Sequence, residues 1–387
     1  MPYALLFLAF AGVTVQLLAV AVLAARMWAE RRRRTDAPRR RASVTVLKPI
    51  KGADEDLEAN LESMYRQRDV AFDVIVGVGQ LDDPGLAIAQ RVAERFPEVP
   101  TTLVVGGRIF GKTGQAVNPK VENLANMLPF AHGELLLISD ANVRVRPEYL
   151  ARTVDEMDRA ADRPVGLVTN MVVGVGEASL GAALENLHLS AFGAPAQALA
   201  RTVARVTPVV GKSMLMRRAA LEAAGGLAAV KDVLAEDHVL GQRIESAGYS
   251  VRLSSEPVAN VNRHISVRAF LSRHARWMKM RAVLHPAGYF AELLALPMAF
   301  AILALVLGGG ALAAACLAGL VVARVAIDAL AMRVSRGAWP RVRDLWLVPV
   351  KDVLLLALWP YALVSRSVQW RGTPLRLGRG TRLVGGS

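Results

Sequence analysis

Residues 72–95 read FDVIVGVGQLDDPGLAIAQRVAER. Phe72–Val78 has the β-branched, apolar make-up of a short buried strand. Asp82-Asp83-Pro84 follows it and opens a helical stretch, Pro84–Arg95. The same alternation runs outward on both sides. Val44–Leu47, Thr102–Val105 and Glu134–Ser139 read as further strands, and Leu57–Arg66 as another helix. Strands alternating with helices of that length, from Val44 to about Ala259, predict an α/β domain with a largely parallel, doubly wound, Rossmann-like sheet. Ligands of such sheets bind beyond the C-terminal ends of the strands, so the residues that end each strand carry the chemistry.

The flanks have a different composition. Of the 387 residues, 53% are hydrophobic, and the mean hydropathy of +0.33 is high for a soluble enzyme. The excess sits at the two ends. Residues 3–25 are almost wholly apolar, long enough to cross a hydrocarbon layer of about 30 Å at about 1.5 Å per residue. Arg31–Arg34 and Arg39–Arg41 follow that run and no basic residue precedes it. This predicts a signal anchor with its N-terminus outside, rather than a cleaved signal peptide. Val267–Leu284 mixes Arg268, Arg273, Arg276, Lys279 and Arg281 with Phe270, Leu271, Trp277 and Met280, the pattern of a helix at a membrane interface.

Beyond it, Tyr289–Leu307 and Ala311–Met332 are joined by Gly308-Gly309-Gly310 and predict a helical hairpin, in which Arg324 and Asp328 stand four apart and can pair. Leu345–Val364, interrupted by Pro349, Lys351-Asp352 and Pro360, is expected to lie interfacial or re-entrant, because a crossing would place the Arg-rich tail outside. The expected division is therefore 1–26 anchor, 27–43 basic linker, 44–264 catalytic domain, 265–288 interfacial helix, 289–366 membrane segments and 367–387 basic tail.

The net charge of +14 asks for an anionic partner. The basic runs flank the apolar segments, which points to anionic headgroups rather than nucleic acid. Cys316 is the single cysteine and the six histidines are scattered, so an internal disulfide and a cysteine-rich zinc site are excluded. Gly106-Gly107-Arg108-Ile109-Phe110-Gly111-Lys112-Thr113 matches the phosphate-loop pattern GxxxxGK[ST] after a strand. That loop must run straight into a helix, whereas here Gly114 follows at once and Pro119 comes soon after. A loop near a donor site is the better reading.

Three aspartates make the stronger constellation: Asp83 after the Phe72–Val78 strand, Asp140 ending an apolar strand in Ser139-Asp140-Ala141-Asn142, and Asp237 in Ala235-Glu236-Asp237-His238. Taken singly, Asp83 reads equally well as a helix N-cap and the Glu236-Asp237 pair as acids at a helix start. Taken together they suit sugar transfer from a nucleotide donor, which needs nucleoside recognition, a cation on the diphosphate and a base for the acceptor hydroxyl. A hard carboxylate at Asp140 suits Mg²⁺ or Mn²⁺, and Asp237 is the candidate base. Arg273 and Arg276, three apart, share a helix face from which both guanidinium forks can reach phosphate oxygens, and Trp277 offers a flat platform.

These residues resemble those of the ceramide glucosyltransferases, the family 21 glycosyltransferases with a GT-A fold. Leu47-Lys48-Pro49-Ile50-Lys51-Gly52 is similar to that family's opening LKPLKG, Asn118-Pro119-Lys120 with Asn123-Leu124 to its NPK…NL segment, and Gly211-Lys212-Ser213-Met214-Leu215-Met216-Arg217 to its GxSxLMR. Asp83 and Asp140 fall on its first two aspartates, Asp237 on the third, which is the family's proton acceptor, and Arg273, Arg276 and Trp277 on its (Q/R)xxRW signature; Trp370-Arg371 also has a counterpart. The resemblance implies inverting transfer of glucose from UDP-glucose to the primary hydroxyl of ceramide with a divalent cation. It puts Asp83, Lys120, Arg273, Arg276 and Trp277 on the donor, Asp140 on the metal and Asp237 at the chemistry. The apolar ends and basic flanks predict an integral membrane protein of bacterial inner-membrane type with its catalytic domain cytosolic. Gly79-Gln80-Leu81 before Asp82 lacks the family's extra acid, Asn142 replaces a small residue, and no histidine lies near Pro195. The hopanoid-biosynthesis glycosyltransferases share the aspartates and the (Q/R)xxRW pattern, which makes an N-acetylglucosaminyltransferase the alternative. A non-catalytic nucleotide-sugar-binding scaffold is the alternative from another class.

Overall fold

The computed structural model describes residues 1–32, 42–110, 116–159, 161–370 and 373–384. Arg33, Arg34 and Arg39–Arg41 of the basic linker, Gly111-Lys112-Thr113 of the phosphate-loop pattern, and Arg371 lie outside the described residues. The chain forms two compact units. The first takes residues 1–29, 173–205 and 262–386, and the second is built from 30–172 and 206–261.

The second unit holds a sheet of eight strands: β1 (Val44–Pro49), β2 (Phe72–Val78), β3 (Thr101–Val105), β4 (Leu135–Ser139), β5 (Val143–Arg144), β6 (Val165–Val175, whose last three residues pass into the first unit), β7 (Ser213–Arg217) and β8 (Ser250–Val261), in the order β3-β2-β1-β4-β7-β6-β8-β5. The α/β expectation holds, and the strands read from sequence sit within two residues of their observed ends. β3, β2, β1 and β4 are parallel neighbours, with Leu47 beside Ile75 on one side and Ile138 on the other. Beyond β4 the sheet turns antiparallel, through β4–β7, β7–β6 and β8–β5. Parallel pairing is thus confined to β3, β2, β1 and β4, rather than running on to about Ala259 as the alternation suggested.

Successive side chains of a strand point to opposite faces, and here both faces are covered. Val44 and Val46, Val74, Val76 and Val78, and Leu135 and Leu137 enter one apolar cluster. Leu47, Ile75, Leu136 and Ile138 enter the other. Fully burying each such side chain is worth about 1.5–3 kcal/mol. This is why these strands read as unbroken apolar runs rather than alternating ones. The helices Leu57–Tyr65, Pro84–Arg95, Pro119–Met127 and Glu236–Ser246 connect the strands. Pro84–Arg95 begins under the loop that leaves β1: a Cβ on Gly85 would come within 2.8 Å of the Gly52 carbonyl oxygen and 2.5 Å of Ile50 Cγ2, so only glycine lets that loop cross.

The first unit is helical. Three stretches among the described residues are long and apolar enough to cross a membrane: Pro2–Arg32, Gly310–Arg336 and Val342–Val364. Leu347–Val364 is one continuous helix with Pro360 inside it, and the break falls elsewhere. The first arm of the expected hairpin is split into Pro286–Ala295 and Pro297–Val306, bent by 72°, where Pro297 removes a backbone donor. Arg324 and Asp328 pair as expected, at 2.7 Å, within a larger set. Arg324 also meets Asp352 at 2.9 Å, and Lys351 meets Asp328 at 2.7 Å, so two cations and two anions compensate one another in the interior. Val267–Leu284 is a helix over the expected span. A small antiparallel sheet follows the last long helix, with strands β9 (Ser367–Trp370), β10 (Thr373–Leu377) and β11 (Leu383–Val384).

Candidate functional site

At the C-terminal ends of the parallel strands, four motifs from distant parts of the chain meet. Asp140 follows β4 at once. Lys120 stands in the first turn of Pro119–Met127, a helix capped by Asn118, whose side chain accepts from the Lys120 and Val121 N–H groups. Gly211 and Lys212 lead into β7, and Glu236 and Asp237 open the Glu236–Ser246 helix. Asp140 is gripped by two lysines, Oδ1 by Lys120 Nζ at 2.8 Å and Oδ2 by Lys212 Nζ at 3.0 Å. Lys120 goes on to Glu236 Oε1 at 3.3 Å and donates to the Gly211 carbonyl at 3.0 Å. The Gly211 N–H donates to Asp237 Oδ2 at 2.7 Å, and Asp237 Oδ1 accepts from the His238 N–H at 2.8 Å. Gly211 is sterically fixed, because a Cβ there would come within 2.9 Å of Lys120 Nζ and 3.1 Å of Asp237 Oδ2. Lys212 also donates to Asn142 Oδ1 at 2.7 Å, which gives a partner to the residue that departs from the family's small one.

The electrostatics follow from burial. Burial works against ionised Asp140, but Lys120 and Lys212 outweigh it and hold the carboxyl well below the usual carboxylate range. Burial likewise opposes charged Lys120, yet Asp140 and Glu236 keep its ammonium above the ordinary lysine value. Burial pushes Glu236 up to about 7, with Lys120 opposing and Asp237 adding to the rise. Below the cluster, Lys48 of β1 is fully buried and donates to Ser139 Oγ at 3.0 Å and to the Asp140 carbonyl at 3.1 Å. Burial brings its pKa down to about 7, against the pull of Asp140.

Asp83 lies at the neighbouring strand end, beyond β2. It caps the Pro84–Arg95 helix by accepting from the Gly85 N–H at 2.8 Å, and it also takes the Gly52 N–H at 2.9 and 3.0 Å. The ordinary N-cap is therefore present, and the carboxylate ties the loop after β1 to the start of that helix as well. Of the three aspartates, Asp140 and Asp237 share the Lys120–Gly211 bridge; Asp83 belongs to the adjacent loop.

The Arg273–Trp277 motif lies in the other unit, on Val267–Leu284. Arg273 Nη1 donates to Glu185 Oε1 at 3.0 Å. His274 Nε2 meets the other oxygen of Glu185 at 3.1 Å, and Trp277 stands edge-on to the His274 ring at 5.1 Å. Arg276 and Trp277 are both half-buried.

Lys212, Glu236, Lys48 and Glu185 were not singled out as site residues by sequence reasoning. The signals were the position of Lys212 and Lys48 inside stretches quoted for resemblance alone, and of Glu236 beside Asp237. Among the described residues no group of three or more histidine, cysteine, aspartate or glutamate side chains could hold a metal ion. Asp140 stands there as a lone carboxylate with a lysine ammonium on each oxygen.

The profile of the family described as "Glycosyl transferase family 21" matches residues 11–383. Ceramide glucosyltransferase 3 of Caenorhabditis elegans is 27% identical over 243 residues, which is 63% of this chain and 51% of that protein. The ceramide glucosyltransferase of Komagataella phaffii is 28% identical over 208 residues, 50% of this chain and 41% of that protein. The chain thus spans about half the length of the curated relatives it matches. Among solved structures, the mannosyltransferase PcManGT of Pyrobaculum calidifontis, in complex with GDP-Man and Mn²⁺, is similar over 93% of this chain and 99% of its own, at 20% identity and a TM-score of 0.49.

Proposed function

The chain belongs to glycosyl transferase family 21, and from that membership we propose that it transfers glucose from UDP-glucose, with inversion, to the hydroxyl of a membrane lipid, ceramide first among acceptors. The observation that carries the reading is the joining of Asp140, Lys120, Gly211 and Asp237 into one hydrogen-bonded group at the strand ends. The lipid character of the acceptor is supported by the three membrane-length helices and by the named relatives. In this reading the chain sits in a bacterial inner membrane with the sheet unit cytosolic and the basic flanks against anionic headgroups.

The roles are those that the resemblance to the family implies. Asp83 holds the nucleoside. Asp140 would hold Mg²⁺ or Mn²⁺, whose chemistry there is to neutralise charge on the diphosphate. Lys120, held charged by its carboxylate neighbours, orients the donor. Arg273 and Arg276 face the growing charge of the leaving group with fixed donors, usually the largest catalytic contribution, and Trp277 gives the sugar a flat contact. Asp237 is the base: its carboxylate is fixed by two backbone N–H groups and takes the proton from the lipid hydroxyl as that oxygen attacks the anomeric carbon.

The test is a donor-by-acceptor assay with labelled UDP-sugars, membranes carrying the protein, and a lipid panel. A lipid-soluble product with UDP-glucose and ceramide is expected, falling on chelation and restored by Mg²⁺ or Mn²⁺. A polymeric product, or none with any donor, overturns the function; a lipid product indifferent to chelation overturns the Asp140 assignment.

A further inference from the structure

Glu185 has no exposed surface, and both of its oxygens are used on the Val267–Leu284 helix: Oε1 by Arg273 Nη1 at 3.0 Å and Oε2 by His274 Nε2 at 3.1 Å. A buried carboxylate is costly unless it is paired and hydrogen-bonded. Here burial alone would raise its pKa, but His274 and Arg273 reverse that and bring it down to about 2. We propose that Glu185 is a positioning residue for the donor site, holding the Arg273 guanidinium by one edge so that its other N–H donors face a nucleoside diphosphate. The proposal rests on the reading that Arg273 binds the diphosphate.

The geometry supports an orienting role over a merely neutralising one. Both hydrogen bonds of Arg273 leave from Nη1, the second to Asn262 Oδ1 at 3.4 Å, and its side chain keeps 28% of its surface exposed. Asn262 is itself fixed, donating to Asn186 Oδ1 at 2.8 Å while its carbonyl accepts from Asn186 Nδ2 at 3.1 Å. Asn186 Nδ2 also donates to Glu177 at 2.9 Å, and Glu177 is paired with Arg336 at 2.8 Å. Arg336 ends the membrane-length helix Gly310–Arg336. The guanidinium is therefore held by a continuous polar chain anchored on that helix, and Glu185 is its fully charged member at Arg273. His274 supplies the second constraint. Buried and edge-on to His188 at 4.3 Å between ring centres, it donates from Nε2 to Glu185, and its Nδ1 has no partner among the described residues. It locks the carboxylate plane without competing for Arg273.

The experiment is a double-substitution cycle on Glu185→Gln and Arg273→Gln in membranes carrying the full chain, reading KM for the UDP-sugar, kcat and thermal stability. Glutamine keeps an oxygen for Arg273 but loses the charge. Glu185→Gln is expected to raise the donor KM about 5–20-fold and to lower kcat as well, since Arg273 also meets the charge that grows on the leaving group, and to add nothing in the Arg273→Gln background, because contacting residues couple. Glu185→Asp, which restores the charge, is expected to recover part of the KM. An unchanged donor KM in Glu185→Gln beside a raised one in Arg273→Gln overturns the positioning role alone. An effect of Glu185→Gln that persists undiminished without Arg273 also overturns it. An unchanged donor KM in Arg273→Gln overturns the diphosphate reading itself. If Glu185→Gln does not accumulate, Glu185→Asp is read in its place against the same cycle.

Discussion

Replacing Asp237 by asparagine separates chemistry from architecture, and the structure sets the size of each part. Both carboxylate oxygens accept a backbone N–H, Oδ2 from Gly211 at 2.7 Å and Oδ1 from His238 at 2.8 Å. Asparagine has one acceptor oxygen, so in either orientation its NH₂ faces a backbone donor and one bond is lost. A hydrogen bond to a charged group is worth about 1.5–3 kcal/mol, and half-burial at this position reduces that to about 1–2 kcal/mol. At about 2–4 °C per kcal/mol for a unit of this size, the melting temperature should fall by a few degrees and the protein should remain folded at assay temperature. Loss of a positioned base costs about 10²–10⁴ in rate. The expected result is transfer to lipid reduced at least a hundredfold, with the dissociation constant for UDP within about threefold of the parent and a small downward thermal shift. Radiolabelled transfer, nucleotide titration and thermal unfolding on one preparation read all three. Transfer near the parent rate would remove Asp237 from the mechanism. Transfer and UDP affinity falling in equal measure would move it from the acceptor to the donor.

Gly211→Ala should act on the same bridge without replacing an ionisable group: the added methyl, 2.9 Å from Lys120 Nζ and 3.1 Å from Asp237 Oδ2, displaces both, and transfer should drop about tenfold while the thermal midpoint falls by several degrees, as overpacking costs about 1–3 kcal/mol; parent-level transfer would show that the bridge geometry is immaterial. Glu236, raised by burial from 4.5 to about 7, keeps a proton in the folded state that the unfolded chain releases, so its contribution to stability is full below about pH 4.5 and fades as pH rises through 7. Glu236→Gln should match the parent near pH 5 and unfold at higher temperature near pH 8, and identical shifts at both pH values would contradict the sign. Asp328→Asn leaves Arg324 and Lys351 with Asp352 alone in an apolar interior, at a cost of about 3–5 kcal/mol for an uncompensated buried charge. Adding Lys351→Met should recover part of the loss, and a single variant as stable as the parent would refute the compensation.

What the sequence disclosed follows from range. β1, β2 and β4 were readable because strands buried on both faces are largely apolar, β3, half exposed, by its β-branched residues, and the intervening helices fix their spacing. β8 was not, because Arg252, Ser254, Ser255, Glu256 and Pro257 interrupt its pattern. Those polar groups are tolerated only through partners far away in the chain: Glu256 takes Arg152 at 3.0 Å, and its carbonyl accepts from Asn170 at 2.9 Å. Composition also missed the 72° bend before Pro297, since a bent helix pair and a straight span have the same hydropathy. Arg324 and Asp328 were legible as a pair at i,i+4, while Lys351 and Asp352, which complete the set, look like interruptions of an apolar run until the helices are packed.

The site divides in the same way. Asp140 and Asp237 were legible as candidates because an acid at the end of an apolar strand, or at the start of a helix beyond one, stands out locally. Lys120, Lys212 and Glu236 were not assembled around them, because charge compensation is settled by neighbours that the fold brings in from elsewhere. Yet the compensation changes the chemistry that the acids can perform. Asp140 has an ammonium on each oxygen, and Lys120 is shared with Glu236 and the Gly211 carbonyl, so the positive charge of the cluster is largely committed to its own carboxylates. A nucleoside diphosphate arriving there gains little net attraction from Lys120 and Lys212 as they stand. In the proposed mechanism its negative charge must therefore be met by an added cation, or by a lysine that gives up its own carboxylate.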